Sequence, residues 1–172
     1  PVGMAPEAPL HVSSLERSAI SVEGVTCVVC HRQSAAVGKT SARTPIVEGS
    51  ILDPVYGPTG NTNLKKVIED RSTYGVVTSE DELGRKIHTD AVKFFELTTP
   101  GFCGSCHDVN LANGFRLEEA FSHYKVSPAA ARGVTCQDCH MGLEPGIPSG
   151  YAEGPAAVVG GVPTPPRRRT NH

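Results

Sequence analysis

The chain has 172 residues, and its 16 Lys and Arg against 18 Asp and Glu give a formal net charge of −2. This length corresponds to one domain or two small lobes. A charge so near zero, with no dominating basic stripe, argues against nucleic acid as a partner. No apolar stretch approaches the roughly 18 residues that would indicate a membrane span.

The composition is poor in the residues that usually build a core. The chain has no Trp, only 5% aromatic residues, and 18 Gly with 14 Pro. Long helices and strands cannot run through so many Gly and Pro. We therefore expect a mostly irregular fold with a few short α-helices and little or no sheet.

The predicted elements, in chain order, are short and widely separated. A candidate helix around His11 comes first, and an irregular segment over 32–86 follows, with turn signals such as Asp53-Pro54 and one short helix expected over 63–70. Apolar residues at helical spacing predict further helices over 87–97 and 116–124. After residue 143 the chain is rich in Gly and Pro, which predicts an extended tail.

Three pentapeptides, at 27–31, 103–107 and 136–140, have the pattern Cys-x-x-Cys-His and together use all six cysteines. This is the attachment pattern of c-type haem, in which two thiols form thioethers with the vinyl groups and the histidine binds the iron. We therefore expect three covalently attached haem c groups. The thioether residues would be Cys27, Cys30, Cys103, Cys106, Cys136 and Cys139, and the proximal iron ligands His31, His107 and His140.

Two other kinds of site use paired cysteines. A structural zinc site of the ribbon type needs two such pairs, and three pairs leave one without a partner. A thioredoxin-like dithiol has no use for the histidine that follows. Zinc binding, or disulfide pairing of the six cysteines, is therefore the less favoured interpretation.

Haem would also compensate for the weak core. Each macrocycle is a large, flat, apolar body, so it can replace the missing Trp and Phe as a hydrophobic centre. We expect residues 1–143 to form a domain wrapped around three haems, and the chain without haem not to fold. Residues 144–172 would form the tail. We expect this tail to be ordered only through contacts with neighbouring segments or with a neighbouring subunit.

Each iron has a second axial position, and what fills it separates electron transfer from catalysis. Beyond the three motifs, the remaining histidines number four for three positions. They are His11, His88, His123 and His172. Met4 is a weaker candidate, and Met141 is badly placed because it adjoins a proximal histidine of its own motif.

Helical phase ranks these candidates. His88 falls within the apolar stripe of the predicted helix over 87–97, so we expect it on the buried side as a distal ligand. His11 aligns with Leu15 and Ala19 at helical spacing and is a second candidate. His123 projects away from the apolar stripe of its helix and lies beside Glu119, which predicts a solvated residue and a less favoured ligand. His172 is the last residue of the sequence, where a histidine is usually frayed, but the count of ligands makes it a fourth candidate.

The segments around these motifs resemble the large exported multihaem c-type cytochromes of metal-reducing and sediment bacteria, some of which form filaments. The resemblance covers most of the chain. It rests on Gly24-Val25-Thr26-Cys27 and its repeat at 133–136, on the stretches 102–109, 118–122 and 136–142, and on 154–163 followed by Thr170-Asn171-His172. It implies bis-histidine haems in a conducting row, with His172 as an axial ligand and an acidic residue usual at position 123. In that family the chain commonly continues beyond such a histidine.

These observations predict a carrier of electrons and not an enzyme. The alternative is a multihaem reductase in which one iron keeps an open position for substrate. A third hypothesis is a domain whose haems only hold the fold. We expect a periplasmic or extracellular protein whose export signal has been removed. Its partners would be other redox proteins, copies of itself in a polymer or larger assembly, or extracellular electron acceptors.

Overall fold

A computed structural model describes residues 25–34, 41 and 44–171 of the chain. This part of the chain contains seven short α-helices and one 3₁₀ turn. The helices are α1 (Cys27–His31), α2 (Thr62–Glu69), α3 (Arg71–Tyr74), α4 (Pro100–Gly104), α5 (Ala120–Lys125), α6 (Pro128–Ala131) and α7 (Cys136–His140), and the 3₁₀ turn is Phe95–Thr98. The longest helix, α2, has eight residues.

Ten strands form five separate two-stranded sheets. Two sheets are parallel, β1 (Val55–Gly57) with β4 (Ala91–Lys93) and β2 (Val76–Val77) with β3 (Arg85–Lys86). Three are antiparallel: β5 (Val109–Asn110) with β6 (Arg116–Glu118), β7 (Ala152–Pro155) with β10 (Pro166–Arg169), and β8 (Val158–Val159) with β9 (Val162–Pro163). The prediction of a mostly irregular chain with a few short helices is confirmed, and the sheets are small.

Local signals explain where several helices begin and end. Pro100 and Pro128 occupy the first turns of α4 and α6, where the missing N–H costs nothing. The Ser127 hydroxyl caps α6 by accepting from the Ala130 N–H. Gly75 ends α3 with φ of 60°, a left-handed conformation that glycine adopts without strain.

The small core lies outside the Cys-x-x-Cys-His motifs. Its buried residues are Val67 of α2, Tyr74 of α3 and Val76 of β2. The partly buried residues packed on them are Ile87, Val159 and Val162. Two of these come from the C-terminal part of the chain, and the Tyr74 hydroxyl donates to the Pro163 carbonyl at 3.2 Å. Residues on both sides of motifs 2 and 3 therefore share one core.

The C-terminal part of the chain lies against the middle of the same chain. Besides the core contacts, Arg167 donates to the Thr59 hydroxyl at 3.0 Å, and the Asn171 N–H donates to the Met141 carbonyl at 2.9 Å. Gly and Pro keep the individual strands short there. No helix within the described residues is long and apolar enough to cross a membrane.

Two sequence-based helices need correction. The predicted helix over 87–97 is wrong, because residues 91–93 pair with β1 and the Phe94 N–H continues this pairing by donating to the Gly57 carbonyl at 2.8 Å. Long-range strand pairing therefore outweighs the helical spacing of the apolar side chains. The helix over 116–124 is half wrong, since Arg116–Glu118 forms β6 and the helix covers only Ala120–Lys125. The helix expected over 63–70 is confirmed as α2.

Candidate haem sites

The three motifs have related local structures. Motifs 1 and 3 coincide with the five-residue helices α1 and α7. Motif 2 begins near the end of α4, and the N–H of His107 still donates to the Cys103 carbonyl at 2.9 Å, as in a helical turn. One helical turn brings residues i, i+3 and i+4 to the same side. The two thiols and the imidazole of each motif can therefore reach one planar group.

Tertiary structure brings the cysteines of different motifs together. Cys103 of motif 2 lies beside Cys136 of motif 3, and burial together with this neighbour raises the pKa of Cys103 to about 12. Burial also raises the pKa of Cys30 of motif 1, and the nearby thiol of Cys106 raises it further. No disulfide joins any of the six cysteines. Motif 2 thus lies near motif 3 through Cys103 and near motif 1 through both Cys103 and Cys106.

Motif 1 opens into a cavity of about 730 Å³. Cys27, His31 and the distant His88 all line it. The remaining lining is mostly apolar and includes Val28, Val29, Ile46, Val47, Ile51 and Val55. The volume falls within the range of roughly 300–1,000 Å³ typical of ligand pockets, and an apolar wall with a few polar groups is also typical of them.

Two histidines of this cavity are held in position by backbone contacts. The Nδ1 of His31 lies 2.7 Å from the Tyr56 carbonyl. Because a carbonyl only accepts, Nδ1 must donate, and the ring presents Nε2 as the nitrogen suited to a metal. His88 follows β3 in a loop that is anchored where the Thr89 N–H donates to the Leu52 carbonyl at 2.8 Å.

The surroundings of His88 favour its neutral form. Burial lowers its pKa, and the proximity of His31 lowers it further, because two imidazolium ions would repel each other. A neutral imidazole is the form that binds a metal. The structure thus brings His88 and His31 to the same cavity, although it does so from a loop and not from the helix that the sequence predicted.

Motif 2 places its histidine beside a carboxylate. His107 Nδ1 lies 2.8 Å from Glu118 Oε1, and both side chains are partly exposed. Glu118 belongs to β6 and stands opposite Val109 of β5, only two residues after His107. The β5–β6 hairpin therefore brings this acidic side chain back to the motif.

Motif 3 is the most firmly capped of the three. Thr135 and Asp138 form a reciprocal capping box at the start of α7. The Tyr151 hydroxyl donates to Asp138 at 2.6 Å, and the Arg168 guanidinium lies 4.2 Å from the centre of the Tyr151 ring. The hydrogen bond from Tyr151 and the N–H of Thr135 hold the pKa of Asp138 below its usual range. His140 ends α7 and is exposed.

Three buried polar residues that the sequence reasoning missed connect the motifs to the rest of the chain. Arg32 directly follows His31 and donates to the carbonyls of Val47 and Pro54 at 3.1 and 2.9 Å. Gln137 lies inside motif 3 and donates to the carbonyls of Leu97 and Thr99 at 3.0 and 2.9 Å. The third, Asp108, accepts from Ser122 and Arg116. Their positions, inside or next to a motif, were the only available signal.

The other predicted ligands have different outcomes. His123 is exposed over 77% of its side chain and pairs with Glu119 at 3.2 Å, so the solvated position expected from helical phase is confirmed. His11, His172 and Met4 lie outside the described residues. Within the described part of the chain, no three Cys, His, Asp or Glu side chains are grouped so as to hold a bare metal ion.

The first cavity has the size and the mostly apolar wall that suit a large flat group, and Cys27 of motif 1 lines it. Three of its apolar residues remain well exposed, Val28 at 53%, Val47 at 38% and Ile51 at 59%. Covering them would contribute on the order of a few kcal/mol. No family model, no curated protein and no solved structure matches this chain. The candidate sites are therefore described by the motifs and their surroundings alone.

Proposed function

We propose that this protein transfers electrons through three covalently attached haem c groups. Each motif would supply two thioether bonds and one proximal histidine, as its spacing requires. The observation that carries the proposal is the cavity of motif 1, where Cys27, His31 and His88 meet. The haem would supply the one-electron iron couple, and the chain would anchor, ligate and shield it.

At motif 1 the proposal assigns His31 and His88 as the two axial ligands. His31 donates from Nδ1 to a carbonyl, which orients the ring and selects the tautomer. Burial keeps His88 in the neutral, ligating form. Two imidazole ligands leave no position for a substrate, which favours electron transfer over catalysis. For motifs 2 and 3, His11 and His172 remain the proposed distal ligands.

The contacts between cysteines support a linear order of the three sites. Cys30 lies near Cys103 and Cys106, and Cys103 lies near Cys136, which supports an order in which motif 2 is the central one. Groups attached at these positions would be close neighbours in the order of the chain. Short spacing between redox centres is what an electron relay requires, and it argues against haems that only stabilise the fold.

The proposed setting follows the resemblance to exported multihaem cytochromes. Attachment of haem c takes place outside the cytoplasm, so we propose a periplasmic or extracellular protein. Its partners would be other redox proteins, further copies of the chain in a filament or larger assembly, or extracellular electron acceptors.

Intact mass spectrometry of protein produced with haem-attachment machinery tests the cofactor directly. We expect a mass larger than the polypeptide by three haems, and alkaline pyridine spectra typical of haem c. A bare polypeptide with free or disulfide-bonded thiols would overturn the proposal. Electron paramagnetic resonance of the oxidised protein should show low-spin ferric signals only. A stoichiometric high-spin signal would instead favour the reductase alternative.

A further inference from the structure

The proximal histidines of motifs 1 and 2 have partners of different charge. His31 donates from Nδ1 to the neutral Tyr56 carbonyl at 2.7 Å. His107 has its Nδ1 2.8 Å from an oxygen of Glu118, a carboxylate. Both contacts select the same tautomer, with the metal-binding lone pair on Nε2. Only the contact between His107 and Glu118 places a negative charge beside the histidine.

The position of Glu118 is fixed by the hairpin that carries it. Glu118 pairs with Val109 in the β5–β6 ladder, and the Leu111 N–H donates to the Phe115 carbonyl at 2.9 Å to close the turn. Asp108, which directly follows His107, forms an ion pair with Arg116 of β6 at 3.0 Å. The motif and the strand that carries Glu118 are thus tied at two points besides the His107 contact.

We propose that Glu118 is a positioning residue that, through its hydrogen bond with His107, lowers the reduction potential of the motif 2 haem relative to that of motif 1. This inference rests on the proposed function. A histidine that donates to a carboxylate is a more basic ligand than one that donates to a carbonyl. A more basic ligand, and a nearby negative charge, both favour the oxidised iron, which carries one more positive charge. The change involves one electron from a mediator or partner, with no bond made or broken.

The size of the effect is limited by solvent. The side chains of His107 and Glu118 are 63% and 40% exposed, so water and salt screen part of the interaction. We therefore expect the carboxylate to change the one-electron reduction equilibrium by less than tenfold, which corresponds to less than about 59 mV.

A lower reduction potential at motif 2 would affect where electrons reside among the three sites. In the proposed order motif 2 is the central site, and a lower potential there makes it harder to reduce than motif 1. An electron would rest on motif 1 in preference to the central site. The carboxylate would thus change the relative reduction potentials of the haems without contacting an electron donor or acceptor.

The variant Glu118→Gln tests the inference in the haem-loaded protein. Gln keeps the shape of Glu and an oxygen that can accept from His107, but it removes the charge. The matched control is Glu119→Gln, which makes the same charge change one residue away, where the side chain pairs with Arg116 and His123. Spectroelectrochemical titration of the three haems, with mass spectrometry to count them, gives the readout.

We expect Glu118→Gln to raise one of the three midpoint potentials while Glu119→Gln leaves all three unchanged. Low-spin signals should persist in both variants, because neither removes a ligand. Equal shifts in the two variants, or no shift with Glu118→Gln, would overturn the inference and leave the proposed function standing. A wild-type protein without haem would overturn the proposed function itself, and the inference with it.

Discussion

At the scale of single residues, the chain places histidines in different environments according to what surrounds them. His31 and His88 line one cavity, and burial lowers the pKa of His88, which favours its neutral form. His123 is solvent-exposed on α5 and paired with an acidic residue. Histidines of equal chemical type are thus sorted into a candidate ligand and a surface residue by burial alone.

The first residue-scale prediction concerns this sorting. His88→Ala should convert one haem of three from low to high spin, because the iron of motif 1 would lose its second imidazole. The reduced variant should then bind carbon monoxide at one site. Electron paramagnetic resonance and carbon monoxide difference spectra provide the measurement.

His123→Ala is the matched control for that variant. It removes a histidine from a helix surface, and its spectra should equal those of the wild type. High-spin haem in His123→Ala and none in His88→Ala would show the assignment of the distal ligand to be reversed.

At the scale of elements, short helices are stabilised by contacts from distant parts of the chain. The helix α7 has only five residues, fewer than an isolated helix needs to be stable in water. Its capping box, the Tyr151 hydroxyl and the buried Gln137 amide compensate for this length. Motif 3, which forms α7, is therefore held by the segment that precedes α4 and by the segment that follows α7.

Tyr151→Phe tests the contact between this helix and the C-terminal segment. The variant loses a hydrogen bond to a charged acceptor, and we expect the free energy of unfolding to fall by about 1 to 2 kcal/mol because the pair is partly exposed. Urea denaturation of the haem-loaded protein measures the change. Tyr124→Phe is the control, since its hydroxyl donates to the neutral Val134 carbonyl at 3.0 Å.

The same pair has a pH signature that separates the two variants. The pKa of Asp138 is lowered in the folded chain, so its contribution is complete above the ordinary aspartate range, near pH 4, and is lost as the pH falls through the folded value. Tyr151→Phe should weaken this acid-dependent loss of stability, because Tyr151 is the largest cause of the shift. Tyr124→Phe should leave it unchanged. An equal acid dependence in both variants would contradict the assignment.

At the scale of the whole molecule, the chain buries few apolar side chains. Five hydrophobic residues are buried within its described part, Val67, Tyr74, Val76, Val77 and Phe94, and large hydrophobic residues with exposed side chains are more numerous. Several of the exposed ones line the cavity of motif 1. A core this small is a weak source of stability, which supports the view that haem completes it.

Removing one haem should therefore loosen the molecule. In Cys27→Ala/Cys30→Ala we expect a mass lower by one haem, a lower urea midpoint and stronger binding of a hydrophobic dye, since Val28, Val47 and Ile51 would stay uncovered. Leu83→Ala is the control, because this side chain is fully exposed and lies outside the cavity. An unchanged urea midpoint after loss of the haem would show that the haem does not support the fold.

The sequence-based predictions are confirmed for some elements and wrong for others. The helix expected over 63–70 is confirmed as α2, because its apolar residues pack on a local neighbour, α3. The helix over 87–97 is wrong because its residues pair with a strand more than thirty positions earlier, a contact that no local pattern reports. The sequence predicts His88 on the buried side of a helix. The side chain is half-buried, but it lies in a loop, so helical phase is not the cause of its burial.

The sequence alone determined the three Cys-x-x-Cys-His motifs and the scarcity of long elements, because a Cys-x-x-Cys-His turn and a Gly or Pro breaker act within a few residues. Only the tertiary structure decided that His88 and His31 line one cavity, that Cys103 lies near Cys136, and that Glu118 reaches His107. Each of these depends on segments that are brought together by strand pairing or by buried polar contacts. Such contacts arise from the packing of the whole chain, and their partners are not encoded in the local pattern on either side.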